Sequence, residues 1–285
     1  MARTVRSLAG KVVVVTGGAR GIGAATAAAL VAQGARVAIG DLDEELTRRA
    51  AKELGGDVLG LRLDVTDPAG FTAFLDAVER ELGPIDVLVN NAGIMPLDLL
   101  EDEAVDTTAR VLAINLGGVI HGTREAIRRM RPRHCGHIVN IASVAGKVGT
   151  AGAATYSATK HGVVGLSESV HFELRGSGVE ISCVLPTVAR TELAAGVKST
   201  TLASQIEPED VAAAIVDVLR RPRPEVFVPK RLGAMSLVRA LPRSVGEWVL
   251  RLGGSDRLLA AAARSAERAD YERRAAASAP AADER

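Results

Sequence analysis

Aromatic side chains are scarce: one tryptophan, two tyrosines and four phenylalanines make up 2% of 285 residues. Stacked recognition of bases or sugars would have few platforms. Cysteine is limited to Cys135 and Cys183, which excludes a disulfide framework; both are expected to be reduced, buried small hydrophobes where strands begin or run. No stretch approaches the roughly 18 apolar residues of a membrane span. Met1 to Gly10 passes straight into a valine run, without a signal-peptide core or a small-residue cleavage site. Neither sign of charge dominates: 35 basic and 34 acidic residues leave a formal +1, so no global field draws nucleic acid or an anionic membrane. These absences point to a cytoplasmic protein with a small neutral ligand.

What is present is a chain 47% hydrophobic, ordered as alternating strands and helices. Lys11 to Val15 reads as a strand, Gly21 to Gln33 as an alanine-rich helix and Arg36 to Gly40 as a second strand. The alternation continues through a helix at Glu44 to Leu54, a strand at Val58 to Leu63, a helix at Pro68 to Leu82 and a strand at Ile85 to Asn90. A long helix over Val105 to Met130, a strand at His137 to Ala142, a helix at Ala154 to Glu173 and a strand at Glu180 to Leu185 follow. A helix at Glu209 to Arg220 leads to a last strand at Glu225 to Pro229. This order predicts an α/β fold, a Rossmann-type doubly wound parallel sheet of about seven strands with helices on both faces.

Gly17, Gly21 and Gly23 follow the first strand and open the first helix. Glycines there permit a tight turn and let the backbone meet a pyrophosphate at the helix N-terminus. Asp41 ends the second strand, where a carboxylate can bond both hydroxyls of an adenosine ribose. It would also repel a 2′-phosphate, and the following Leu42 and Asp43 offer no cation to offset it. Arg20 argues the other way, because a basic residue in the turn can reach a 2′-phosphate. Asp41 must sit directly against the ribose, so NAD is favoured over NADP.

Tyr156 and Lys160 stand four residues apart on the predicted helix, thirteen positions after Ser143. Four residues turn a helix through roughly 400°, which puts phenol and ammonium on one face. A phenol with an ordinary pKa near 10 needs roughly 4 kcal/mol of preferential phenolate stabilisation to reach about 7. An ammonium at about 4 Å in a partly dry site supplies that order, and an oxidised nicotinamide adds positive charge. Tyr156 is therefore expected to have a lowered pKa and to act as general acid or base. Ser143, just after an apolar strand, can fix the reacting oxygen.

These segments together resemble the short-chain dehydrogenase/reductase family in its compact, single-domain form. Thr16-Gly17-Gly18-Ala19-Arg20-Gly21-Ile22-Gly23 is similar to its opening turn, which carries Arg20 and Ile22 into the cofactor site with the glycines. Asp64-Val65 resembles the pair that flanks the adenine, and Asn90-Asn91-Ala92-Gly93 the motif after the fourth strand. Ser143, Tyr156 and Lys160 resemble the catalytic set, with Lys160 also bonding the nicotinamide ribose. Asn115 resembles the helix asparagine, which implies a held water relaying protons from Lys160; its residue-level reading alone is a satisfied core amide. The resemblance spans about residues 8 to 230. One motif departs: after the sixth strand Pro186 and Thr191 match, but Thr187 stands where glycine is usual, so the turn is expected to differ locally. Val188 and Thr191 are placed at the cofactor by the same motif.

His134-Cys135-Gly136-His137 lacks companions at ligand spacing, so no metal site is expected. His161, Ser167, Ser169, His171 and Glu173 read as packing or subunit-interface residues, since the resemblance implies a homodimer or homotetramer. Expected walls of an aliphatic substrate pocket are Ile94 to Leu97, Val144 to Val148, and a lid-like loop from Glu192 to Ile206.

Residues 1–230 are thus expected to form a dinucleotide-binding catalytic domain. Residues 231–285 read as a basic, partly amphipathic helical extension whose last ten residues lack order. Apolar positions from Met235 to Leu252 recur at partly helical spacing. The extension could cover the pocket, contact another subunit or rest on a membrane surface, the last permitted by Trp248 with Arg243 and Arg251, but an ordinary helix packed on the domain is favoured. The expected activity is hydride transfer between NAD(H) and a lipophilic secondary alcohol or ketone. The alternatives are an NADP-dependent carbonyl reductase and a non-catalytic NAD(H)-binding sensor or scaffold, which has no need of Ser143, Tyr156 and Lys160 together.

Overall fold

The five residues of β1 (Val12–Thr16), four of them valine, are all buried. Val13 and Val15 join one apolar cluster while Val12 and Val14 join another, as alternation across a covered sheet requires. Burying each such side chain is worth roughly 1.5–3 kcal/mol. The computed structural model describes residues 5–55, 58–197, 205–234, 258–263 and 265–278.

The remaining strands are β2 (Arg36–Asp41), β3 (Leu59–Arg62), β4 (Val87–Asn90), β5 (Gly136–Ile141), β6 (Val179–Pro186) and β7 (Glu225–Val228). They pair in the order β3-β2-β1-β4-β5-β6-β7, all parallel. On one face lie α1 (Gly21–Val31), α2 (Glu44–Leu54) and α7 (Pro208–Arg220), which bury Leu30, Ala50 and Ile215. On the other lie α3 (Pro68–Leu82), α5 (Gly118–Met130) and α6 (Ala154–Glu173), contributing Phe71, Met130 and Val170. The chain winds one way through β1 to β3 and then crosses to β4. That reversal opens a crevice beyond the carboxyl ends of β1 and β4, where ligands of such sheets bind.

The expected helix over Val105–Met130 is interrupted. After α4 (Val105–Leu112) comes a π turn, Ala113–Gly117, before α5. At its centre Asn115 is fully buried and bonded out to the loop after β4. A wider turn aims that side chain outward from the regular ladder, a placement π turns often serve.

Beyond β7, residues 258–263 and 265–278 hold α8 (Leu258–Ala263), a short 3₁₀ turn and α9 (Ala269–Ala277). Helix α9 covers Ala276 and Ala277, part of the stretch expected to lack order. The positions from Met235 to Leu252, Trp248 included, lie outside the described residues. Among the described residues no helix is long and apolar enough to cross a membrane.

Candidate active site

The crevice is a cavity of about 560 Å³ running from the first glycine turn to Tyr156. At one end Gly17 and Gly21 adopt positive φ, +62° and +54°. A Cβ on Gly17 would come within 2.8 Å of the Ala92 Cα, and one on Gly23 would collide with the Gly17 carbonyl. The glycines therefore serve close approach of three backbone segments. Asn91 joins the turns: its Nδ2 donates to the carbonyls of Thr16 and Gly17 at 2.9 and 3.0 Å, while its N–H donates to Thr16 Oγ1 at 3.0 Å. No side chain caps the N-terminus of α1, which leaves its first-turn N–H groups suited to a pyrophosphate. These features fit a dinucleotide.

Asp41, at the end of β2, lines the same cavity with Leu42, Asp64 and Val65. Its Oδ2 accepts from the Ala19 N–H at 3.3 Å. Burial raises the Asp41 carboxyl, against the lowering effect of Arg20 and three backbone N–H groups. Arg20 lies 3.8 Å from Asp43 and 3.4 Å from Glu192, both exposed carboxylates. Its guanidinium is already faced by negative charge.

At the other end, Tyr156 and Lys160 are 7% and 5% exposed, both on the cavity wall. Ser143 accepts from the Ala145 N–H at 3.1 Å and donates to the Pro186 carbonyl at 3.4 Å, with the Tyr156 phenol close enough for its pKa to be lowered by the serine. Lys160 Nζ lies 5.6 Å from the Tyr156 ring centroid and donates to the Ile141 carbonyl at 3.0 Å. Here the expected phenol pKa needs correction. Burial pushes Tyr156 up to about 12, against the lowering by Ser143. Burial also brings Lys160 down to about 8. Desolvation, not charge pairing, dominates both groups in the chain alone.

Gly93, Ile22, Ala92, Val188 and Thr191 also line the cavity. Gly23 and Asn115 are not on its wall; they act from behind it. Asn115 Oδ1 accepts from the Ile94 N–H and its Nδ2 donates to the Ile94 carbonyl, each at 2.8 Å, with Thr159 Oγ1 at 3.4 Å. Thr187 makes no left-handed turn, since among the described residues only His134 is a non-glycine at positive φ. Its N–H donates to the Val228 carbonyl at 2.9 Å, so β7 holds the segment without glycine.

Other expectations fare variously. Cys135 is exposed, not buried; Cys183 is buried, and burial pushes its thiol up to about 12. His137 is buried against Ser182 at 2.8 Å while His134 faces the Ser177 carbonyl, so the two histidines do not converge. Ser167 is a core residue, donating to Val163 and accepting from Asn140. Ile94, Met95, Val144, Ala145 and Val148 line the cavity, but Pro96, Leu97, Gly146 and Lys147 do not. Of the lid-like loop, residues 198–204 lie outside the described residues.

Several wall residues that sequence reasoning did not name one by one come from the two C-terminal helices. Leu259, Tyr271, Arg274 and Ala275 line the cavity, and Arg274 bonds Glu192 at 3.0 Å. One signal was available: Tyr271 is one of only two tyrosines.

Residues 11–202 match the family model described as short chain dehydrogenase. A 3-alpha-(or 20-beta)-hydroxysteroid dehydrogenase of Mycobacterium bovis is 39% identical over 213 residues, 73% of this chain and 82% of that protein. A cis-4-hydroxycyclohexanecarboxylate dehydrogenase of Sinomonas cyclohexanicum is 41% identical over 221 residues, 73% and 89% of the two chains. Among solved structures, a short chain dehydrogenase/reductase from Burkholderia phymatum in complex with NAD superposes with a TM-score of 0.76 at 28% identity, covering 82% of this chain and 94% of that one.

Proposed function

Because the chain belongs to the short-chain dehydrogenase/reductase family, we propose that it transfers a hydride between NAD(H) and a secondary alcohol or ketone on an apolar ring skeleton, with Tyr156 as the acid/base. The observation that carries this reading is one cavity lined by Ser143, Tyr156 and Lys160 at one end and by the Asp41 carboxylate with the glycine turn at the other. When bound, the nicotinamide supplies the hydride acceptor or donor and, oxidised, a positive charge.

The residues divide the remaining work. Ser143 holds the substrate oxygen. In ketone reduction the Tyr156 hydroxyl donates its proton to that oxygen as hydride reaches carbon; in oxidation the phenolate takes the alcohol proton. A phenol pushed up to about 12 holds its proton at neutral pH, and releasing that proton calls for the added positive charge of Lys160 and, in oxidation, of the nicotinamide ring. Asn115 fixes the backbone at Ile94, beside the reacting end. Asp41 bonds the adenosine ribose, and Arg20, already faced by Asp43 and Glu192, is poorly placed to draw a 2′-phosphate. NAD is therefore the cofactor.

The ring skeleton is supported by the aliphatic wall of Ile94, Met95, Val144 and Leu259 and by two relatives whose names specify a hydroxysteroid and a hydroxycyclohexanecarboxylate. The test is reduced-nicotinamide absorbance with NAD or NADP across a panel of open-chain and ring secondary alcohols. Turnover should be greatest with NAD and ring alcohols. A preference for NADP, or turnover of open-chain alcohols alone, contradicts the reading.

A further inference from the structure

Arg268 is 1% exposed, yet it belongs to the C-terminal segment beyond the residues the family model matches. A buried guanidinium is tolerated only where its donors are met. Here Nη2 donates to the Met95 carbonyl at 2.6 Å, and Nη1 to the carbonyls of Leu193 and Ala195 at 3.1 and 2.9 Å. Nε donates to Glu272 at 3.0 Å, and the guanidinium lies 4.9 Å from the Tyr271 ring centroid. One side chain thus ties α9 to the loop after β4 and to the loop after β6.

Its neighbours repeat the connection. The Met95 N–H donates to the Tyr271 hydroxyl at 2.6 Å, and the Leu97 N–H to Glu272 at 3.4 Å. Gly196, at φ +73°, leaves room against Ser265 and Arg268; Gly152, at +81°, does the same against Ala260. Leu259 and Ala262 share an apolar cluster with Met95, Val197 and Tyr156.

We infer that α8, the 3₁₀ turn and α9 form the specificity-determining roof of the substrate compartment, with Arg268 as the positioning residue and Leu259 and Tyr271 as its substrate-facing contacts. The class selected is an apolar ring alcohol or ketone, held against an aliphatic side chain and an aromatic ring beside Tyr156. This rests on the proposed oxidoreductase function. The roof acts through shape: both loops that flank the reacting end present carbonyls to one guanidinium, whose planar fork no other side chain reproduces.

The test compares the full chain with Arg268→Met, and with Leu259→Ala and Tyr271→Ala, which keep Arg268. Michaelis parameters over ring and open-chain alcohols are combined with NADH-binding fluorescence and amide exchange of peptides covering residues 94–97 and 193–197. For Arg268→Met we expect KM for ring substrates to rise about tenfold or more, kcat for an open-chain alcohol to change less than about threefold, NADH affinity to hold, and exchange at both loops to quicken. A folded Arg268→Met with unchanged exchange and unchanged substrate ranking overturns the inference. If that variant does not fold, unchanged ranking in both of the other variants overturns it. Should the wild-type chain turn over no alcohol, the functional reading fails; exchange then still decides whether Arg268 holds the two loops.

Discussion

Asn115 holds Ile94 by both of its backbone groups: Oδ1 accepts the Ile94 N–H and Nδ2 donates to its carbonyl, each at 2.8 Å. The pairing places a π turn of the helix against the loop whose Ile94 and Met95 line the cavity. An amide bonded in this way satisfies a backbone segment that has no strand partner of its own, and leaving a buried partner unmet costs about 1–3 kcal/mol per group. Asn115→Leu should therefore lower unfolding free energy by at least about 2 kcal/mol in urea titrations. A loss below about 0.5 kcal/mol would show that Ile94 finds other partners.

The Lys160 ammonium is predicted to cost the fold stability. Its folded pKa, about 8, lies below the ordinary 10.5 because of burial. The penalty is full below pH 8 and is relieved as pH rises through 10.5, where both folded and unfolded chains are neutral. Lys160→Met should stabilise the chain at pH 7 by on the order of 1–3 kcal/mol, less at pH 10, while losing turnover. Equal stability differences at the two pH values would contradict this origin.

Much of the site was legible because its signals are local or periodic. The glycine turn follows from backbone clearance, and Tyr156 meets Lys160 because four residues complete about one turn. The π turn left no trace, since one extra residue in a turn barely alters a hydrophobic period. Arg268 was hidden for a different reason: its bond to Met95 joins residues 173 apart in the chain, and no spacing rule reaches that far. The direction of the Tyr156 shift was misjudged for a related cause. Charge proximity can be read from helical spacing, whereas desolvation is set by every neighbour that the tertiary fold brings in.

Asp41 should govern cofactor choice. Asp41→Ser removes both the acceptors for the ribose hydroxyls and the repulsion toward a 2′-phosphate. The ratio of kcat/KM for NAD over NADP should fall by about tenfold or more, equivalent to about 1.4 kcal/mol. An unaltered ratio would place discrimination elsewhere in the turn.

His137 should make the fold acid-sensitive. Burial, with Arg6 adding to it, lowers its pKa from 6.5 to about 3. Above pH 6.5 the imidazole is neutral in both states and contributes nothing to the dependence. Between 6.5 and 3 the unfolded chain takes a proton that the folded chain refuses, so stability falls at up to about 1.4 kcal/mol per pH unit. In His137→Asn this slope should flatten over the same window, read from urea midpoints at pH 4, 5, 6 and 7. Parallel slopes for the two proteins would assign the acid sensitivity to other groups.

The central claim is that the Tyr156 hydroxyl moves the proton. Single-turnover hydride transfer from a ring alcohol to NAD, measured for wild type and Tyr156→Phe with cofactor affinity checked in parallel, tests it directly. Phenylalanine keeps the ring and removes only the hydroxyl, so NAD affinity should hold while the rate falls by about 10²–10⁴-fold. A folded Tyr156→Phe enzyme that transfers hydride at nearly the wild-type rate would contradict the account.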